Sequence, residues 1–266
     1  HGDTLAEPLA KDLVLSQTDE VSQLWARLNL VGVVTYFGKH TAAETQLQIV
    51  QDAILGRDLP ELRAHFLLHS AMVHHLRSNY STADSIYSLL FREVDIDNVG
   101  QFRALLAKEQ ANNLRYLGDH ETSLIKWYQA LEYYEEVEDS ASIVNCIQGV
   151  GIIKFLENDL IAAKNRFDLS LEFWLKKGNE KELSFAYNLL GLWNYGMKNY
   201  AKSIELCTLS YQLRQKNNDI RGQGESLNNL ALAYAGLKNW DQALKYFRLS
   251  LQKLMLGKDL RQIPTI

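Results

Sequence analysis

The stretch LNNLALAYAGLKNWDQALKYFRLS, residues 227–250, decides the fold. Its first part sets Leu227, Leu230, Ala231, Tyr234 and Leu237 at helical spacing, and its second part continues with Ala243, Leu244 and Phe247 toward Leu251 and Leu254. Such intervals gather apolar side chains on one side of a helix. Between the two parts stand Lys238 and Asn239, and Asn favours turns over helix interiors. The expected unit is a pair of antiparallel helices joined by a short turn.

Working outward, the same pattern returns every 40 residues. The small residue Ala243 has counterparts in Ala43, Ala83, Ser123, Ala163 and Ser203. Three residues before each mark stands His40, Tyr80, His120, Leu160, Tyr200 or Trp240, and four after it stands Leu47, Tyr87, Trp127, Phe167, Cys207 or Phe247. Twelve before it the residue is again slim: Val31, Ala71, Ala111, Gly151, Gly191 and Ala231. The turns read Gly38-Lys39, Ser78-Asn79, Gly118-Asp119, Asn158-Asp159, Lys198-Asn199 and Lys238-Asn239, rich in residues that accept a left-handed backbone. Between units, Asp19, Asp58, Asn98, Asp139, Asn179, Asp219 and Asp259 are placed to cap the next helix. A fixed period of this length marks a repeat architecture, in which no unit buries its own apolar stripe and stacking builds one continuous core. The fold class is therefore an all-α solenoid. The rings Tyr80, Trp127, Phe167, Tyr200 and Trp240 read as packing seams between helices, not as a platform for stacking bases.

Composition narrows the function. A formal charge of −4 and a pI near 6.0 offer no broad basic footprint for phosphate backbones, so direct nucleic-acid contact is not expected. Three prolines in 266 residues leave long helices unopposed. Cys146 and Cys207 fall at helical core positions and read as buried free thiols, which suits a reducing, cytoplasmic setting; a processed chain acting outside the cytoplasm stays open. No apolar run long enough to span a membrane occurs, and no charged-then-apolar leader opens the chain. Both ends read as trimmed. Lys258-Asp259-Leu260-Arg261-Gln262 mirrors the entry to the sixth unit, Asn218-Asp219-Ile220-Arg221-Gly222, while Leu5, Leu9, Leu13 and Val14 resemble the tail of an earlier second helix. The expected division is 1–18 as a preceding tail or cap, 19–258 as six repeats, and 259–266 as the start of a further one. The apolar stripe of Phe247, Leu251, Leu254 and Met255 then needs a cover, by missing repeats or by a second copy, so a homo-oligomer through exposed terminal repeats is one expectation.

Leu227-x-x-Leu230-Ala231-x-x-Tyr234, followed by Trp240-x-x-Ala243-x-x-x-Phe247-x-x-Ser250, resembles the tetratricopeptide repeat. With 40 residues per unit it is similar to the long-helix variant of cell-polarity adaptors, bacterial peptide-sensing regulators and sensor regions of bacterial transcription activators. The chain departs from the family in lacking a closing Pro except near Pro60, and in placing Ser70 and Gln110 where apolar residues are usual. The resemblance implies a right-handed superhelix of six antiparallel helix pairs whose first helices line an inner, concave face. Carried over by repeat phase, that face holds Trp25 and Tyr36, then His65, Met72 and His75, then Lys108, Asn112 and Arg115, then Asn145 and Gln148, then Asn188 and Tyr195, and last Glu225 and Asn228. Amides both donate and accept, so this set suits an extended peptide backbone. Lys108 and Arg115, two helical turns apart, suit a carboxylate. The plainer reading of these residues is a solvated polar helix face.

Catalysis is not expected. His65 and His69 are four apart, with His74 and His75 close behind, but no His-Glu-x-x-His pattern accompanies them, and neither a metal nor a cofactor is anticipated. Gly149, Gly151, Gly222 and Gly224 lack the Lys-Ser/Thr and preceding strand of a phosphate cradle. No nucleophile elbow appears. The functional expectation is a non-catalytic protein- or peptide-binding module within a larger bacterial signalling or transcription-regulatory protein. Two alternatives stand beside it: a small-molecule sensor that controls oligomerisation, with a pocket near Trp25, Tyr36, His65 and His75, and a structural scaffold.

Overall fold

The computed structural model describes residues 3–17, 19–36, 39–93 and 100–256. Among these it shows helices and no strand: α1 (Asp3–Ser16), α2 (Glu20–Tyr36), α3 (His40–Ile54), α4 (Pro60–Leu76), α5 (Tyr80–Glu93), α6 (Gly100–Leu117), α7 (His120–Glu136), α8 (Ser140–Leu156), α9 (Leu160–Lys177), α10 (Glu180–Gly196), α11 (Tyr200–Lys216), α12 (Ile220–Gly236) and α13 (Trp240–Leu256). Six of them, α3, α5, α7, α9, α11 and α13, begin at 40-residue intervals. The chain is thus an all-α assembly of antiparallel helix pairs. It divides into two compact units, the first ending at Tyr133 and the second starting at Tyr134, both within α7.

In the first unit, Leu28, Val31, Val34, Val50 and Leu62 form a core that joins α2, α3 and α4 and takes in Val14 of α1. Leu68, Ala71, Ala83, Tyr87, Leu90 and Leu106 do the same for α4, α5 and α6. In the second unit, Phe167, Leu189, Leu190 and Leu206 join α9 to α11, and Cys207, Leu227 and Leu230 carry the core on to α12. Every small mark is buried, from Ala43 to Ala243. The reason is close approach of the paired helices. The Ser123 hydroxyl on α7 donates to the Ala111 carbonyl on α6 at 2.8 Å, so the two slim positions of that pair touch. A Cβ added to Gly151 would lie 2.8 Å from the Phe167 ring and 3.1 Å from Arg166 Cβ. Gly191 sits in the same way under Cys207, whose thiol burial pushes up to about 12.

The turns behave as their residues dictate. Ser78, Gly118, Asn158, Lys198 and Lys238 all take left-handed φ between 60° and 82°. Asp19, Asp139, Asn179 and Asp219 cap the helices that follow them, accepting from backbone N–H groups of Ser22, Ser142, Glu182 and Gly222 respectively. Asp58 does not cap, because Pro60 occupies the first turn of α4 and Leu59 stands immediately before it. Asn98 and Asp259 lie outside the described residues. Asp119, Asp159 and Asn239, which sequence reading places only in turns, also act as caps.

One packing expectation needs correction. Trp127 and Phe167 are core residues and Tyr80 and Tyr200 are half-buried, but Trp240 is 65% exposed. In earlier pairs this position is covered by the end of the next first helix, Tyr116 stacking on Tyr80 and Gly236 lying against Tyr200. No described helix follows α13, so Trp240 and its neighbours Leu244 and Leu251 stand open.

The close approach is testable by a double-mutant cycle. Phe167→Ala is expected to cost about 3–5 kcal/mol and Gly151→Val about 1–3 kcal/mol. In the Phe167→Ala background Gly151→Val costs less, because its side chain enters the vacated space. Equal cost in both backgrounds, read from urea unfolding midpoints, contradicts the contact.

Candidate functional site

Within each unit the first helices of successive pairs pack on one another, α2 on α4 and α4 on α6 in the first, α10 on α12 in the second. One side of each faces its own partner and another faces the preceding pair. What remains is a strip at four recurring phases, and the sequence-derived residues fall on or near it.

In the first unit, Trp25, His65 and Phe102 form a row of rings: the first two meet edge-on with centroids 4.8 Å apart, and His65 lies 4.8 Å from Phe102. Burial lowers the His65 pKa, outweighing the opposite pull of Glu61. His69 is pushed further, to about 4, by burial and then by His65. Met72 is partly buried against the α4–α6 core. His75 belongs to a second cluster with Tyr80 and Tyr116, at centroid distances of 5.3 and 5.2 Å. Asn113 holds that cluster. Its amide donates to the Tyr80 carbonyl at 2.8 Å, so its oxygen is left to accept from His75 Nδ1 at 3.0 Å. Asn113 is fully buried, and sequence reading passes over it in favour of its half-exposed neighbour Asn112. Tyr36 ends α2, and its side chain lies outside the described residues.

The two cations do not form a plain pair. Lys108 Nζ lies 3.5 Å from Glu109 Oε1 and is partly neutralised there. Arg115 lies 4.0 Å over the Tyr116 ring, and its buried Nε has no hydrogen-bond partner. Of the two, Arg115 is the donor left with an unfilled bond.

In the second unit the expected residues separate into two groups. Gln148 is buried on α8 and donates to the Ser170 hydroxyl on α9. Asn188 is also buried, accepting at 3.1 Å from Asn229, a residue that sequence reading omits. Glu225 is engaged by Arg214 at 3.2 Å and Arg221 at 3.6 Å. These three serve the packing. Tyr195 is half-buried beside Tyr200, with centroids 5.9 Å apart. Asn145 and Asn228 are half-exposed, and among the described contacts neither amide bonds to the chain; the same holds for Asn112 in the first unit. The strip also carries Leu105 in the first unit, and Ile152, Phe185, Leu192 and Leu232 in the second, all half-buried. Sequence reading by residue polarity leaves these out, although the 40-residue phase that selects Asn145 also selects Phe185. The face is therefore mixed, with open amides set among apolar side chains.

Among the described residues no three His, Cys, Asp or Glu side chains come together as a metal-ligating group. No described helix is long and apolar enough to cross a membrane.

The tetratricopeptide repeat family matches residues 182–254. Comparison with curated proteins gives no match. Among solved structures, the chain is similar to a Rap protein complexed with competence and sporulation factor, at 13% identity over 98% of this chain and 74% of that one, with a TM-score of 0.81. It is similar to NprR in complex with its cognate peptide NprX, at 13% identity over 96% and 77%, with a TM-score of 0.75. A signal-transduction ATPase with a tetratricopeptide repeat sensor from Pyrococcus horikoshii matches at 14% identity over 96% and 42%, with a TM-score of 0.67. At such identity the likeness is one of fold.

The lowered His69 pKa has a measurable consequence. The unfolded chain takes up this proton near 6.5 and the folded chain only near 4, so folding stability falls as pH drops through that window. The urea midpoint is expected to fall between pH 7 and pH 5, and to fall less in His69→Gln. An identical pH dependence in the variant removes His69 from the account.

Proposed function

We propose that this tetratricopeptide-repeat chain is a non-catalytic module that binds an extended peptide, or an extended segment of a partner protein, on the exposed strip of its first helices. The observation that carries this reading is the set of half-exposed amides without a bond to the chain, Asn112 in the first unit and Asn145 and Asn228 in the second. An amide that both donates and accepts is matched to a peptide backbone, which offers one acceptor and one donor per residue. The apolar side chains between them, Phe185 and Leu192 among others, supply contacts for alternate peptide side chains. In the first unit half-buried Arg115 offers its guanidinium to the carboxylate of a peptide bound there. The likeness to Rap and NprR structures determined with peptides supports the same reading at the level of fold. By that likeness the module acts as the sensing or interaction region of a cytoplasmic bacterial signalling or transcription-regulatory protein.

The test is selection from a random peptide library, followed by fluorescence polarisation with the selected peptide. Asn145→Ala combined with Asn228→Ala is expected to weaken binding by about 1–3 kcal/mol, whatever the peptide's side chains, because backbone bonds are lost. Arg115→Glu combined with Lys108→Glu is expected to abolish binding of peptides with a free C-terminus or acidic residue. Unchanged binding in both pairs, or a library from which nothing is selected, overturns the proposal.

A further inference from the structure

A cavity of about 490 Å³ opens in the first unit among the end of α5, the start of α6 and the later turns of α7. Its α6 wall is the stripe Gly100, Ala104 and Ala107, where the Tyr133 ring lies against Gly100 and both alanines are buried. At 100° per residue that stripe lies roughly a quarter-turn around α6 from Lys108, Asn112 and Arg115, so the cavity is distinct from the proposed peptide face. The volume falls within the range of small-molecule sites.

The chemistry of the walls is unusual for a packing defect. The cleft opens to solvent at Arg103, Gln129 and Glu132, and it brings Arg103 and Lys126 together. Lys126 places its ammonium 3.6 Å from the centroid of Phe91, and among the described contacts neither cation is ion-paired. Burial lowers the Lys126 pKa, Arg103 pushes it the same way, and only Asp84 opposes them. Lys126 is half-buried and the exposed Arg103 repels its charge, so an anion seated between the two relieves that cost. Glu132 shares the lining, so the net charge of the walls is one positive, which matches a monocarboxylate better than a dianion.

We propose that this cavity binds a small organic monocarboxylate, its acid group held by Arg103 and Lys126 and its apolar body lying beside Phe91 and Tyr133. The guanidinium offers a bidentate fork to the carboxylate, and the ammonium adds a point charge.

Isothermal titration of the whole chain with phenylacetate, phenylacetamide and inorganic phosphate tests this. Phenylacetate is expected to bind with Kd of about 1 mM or tighter and to raise the unfolding temperature. The amide, of equal shape but uncharged, is expected to bind at least about tenfold more weakly, and phosphate more weakly than phenylacetate. Arg103→Gln and Lys126→Gln, both altering side chains outside the apolar core, each reduce phenylacetate affinity about tenfold or more. Asn145→Ala with Asn228→Ala leaves phenylacetate affinity unchanged. Equal binding of acid and amide, tighter binding of phosphate, no saturable phenylacetate binding, or indifference to Arg103→Gln and Lys126→Gln each overturn the proposal.

Discussion

Helix pairs are held at the distance that a small side chain, or none, permits at the point where the two helices cross. Ala111 and Ser123 are close enough for a side chain of one helix to bond the backbone of the other. Gly151 lies directly beneath Phe167. A larger residue at either mark would force the helices apart and leave the ring that follows without its seat. The exposure of the strip depends on this constraint. Because the crossing point consumes one side of every first helix, and the preceding pair consumes a second, the phases occupied by Asn145, Phe185 and Asn228 are the ones left over. Their exposure is a consequence of where the small residues fall.

Polar side chains then set the register of the pairs. The Ser210 hydroxyl donates to the Ser184 carbonyl at 2.7 Å and lies 2.8 Å from the Ser226 hydroxyl, tying α11 to both α10 and α12. Ser250 on α13 donates to the Gly224 carbonyl on α12. Gln110, at a place usually apolar, bonds Asp84 at 3.0 Å and Ser88 at 3.3 Å. Buried Arg214 reaches the Gly222 carbonyl as well as Glu225. Bonds of this kind contribute modestly when made and are costly when broken, so they penalise any sliding of one helix along the next.

The fold was legible because it is written in a period. Helix starts, left-handed turn residues and small marks recur at the same phase, and a reader needs no partner information to find them. The exposed strip was only half legible. Phase locates it, but polarity misleads within it: Gln148 and Asn188 look like ligand groups and are spent on Ser170 and Asn229, whereas Phe185 and Ile152 look like core and stand half open. Whether an amide faces a neighbour depends on what stands about forty residues away, and one residue of offset decides it. Asn228 is open and Asn229 is bonded. The cavity was not legible at all. Gly100, Ala104 and Ala107 read as ordinary slim helix positions, and only the placement of α7 over them shows that the space is not filled.

Both proposed sites draw on α6, and its two halves are held differently. Toward its C-terminal end Asn113 ties the helix to α4 and to the start of α5 through two hydrogen bonds from a fully buried position. Toward its N-terminal end the helix borders the cavity with Gly100, Arg103, Ala104 and Ala107. A carboxylate there would act on the N-terminal half of α6, and it would reach Lys108 and Arg115 only to the extent that the anchored half moves with it. A ligand that leaves the anchored half unchanged binds without altering the strip; one that displaces it must bear the loss of the Asn113 bonds. The strength of that anchor therefore sets the upper limit on any coupling between the two sites.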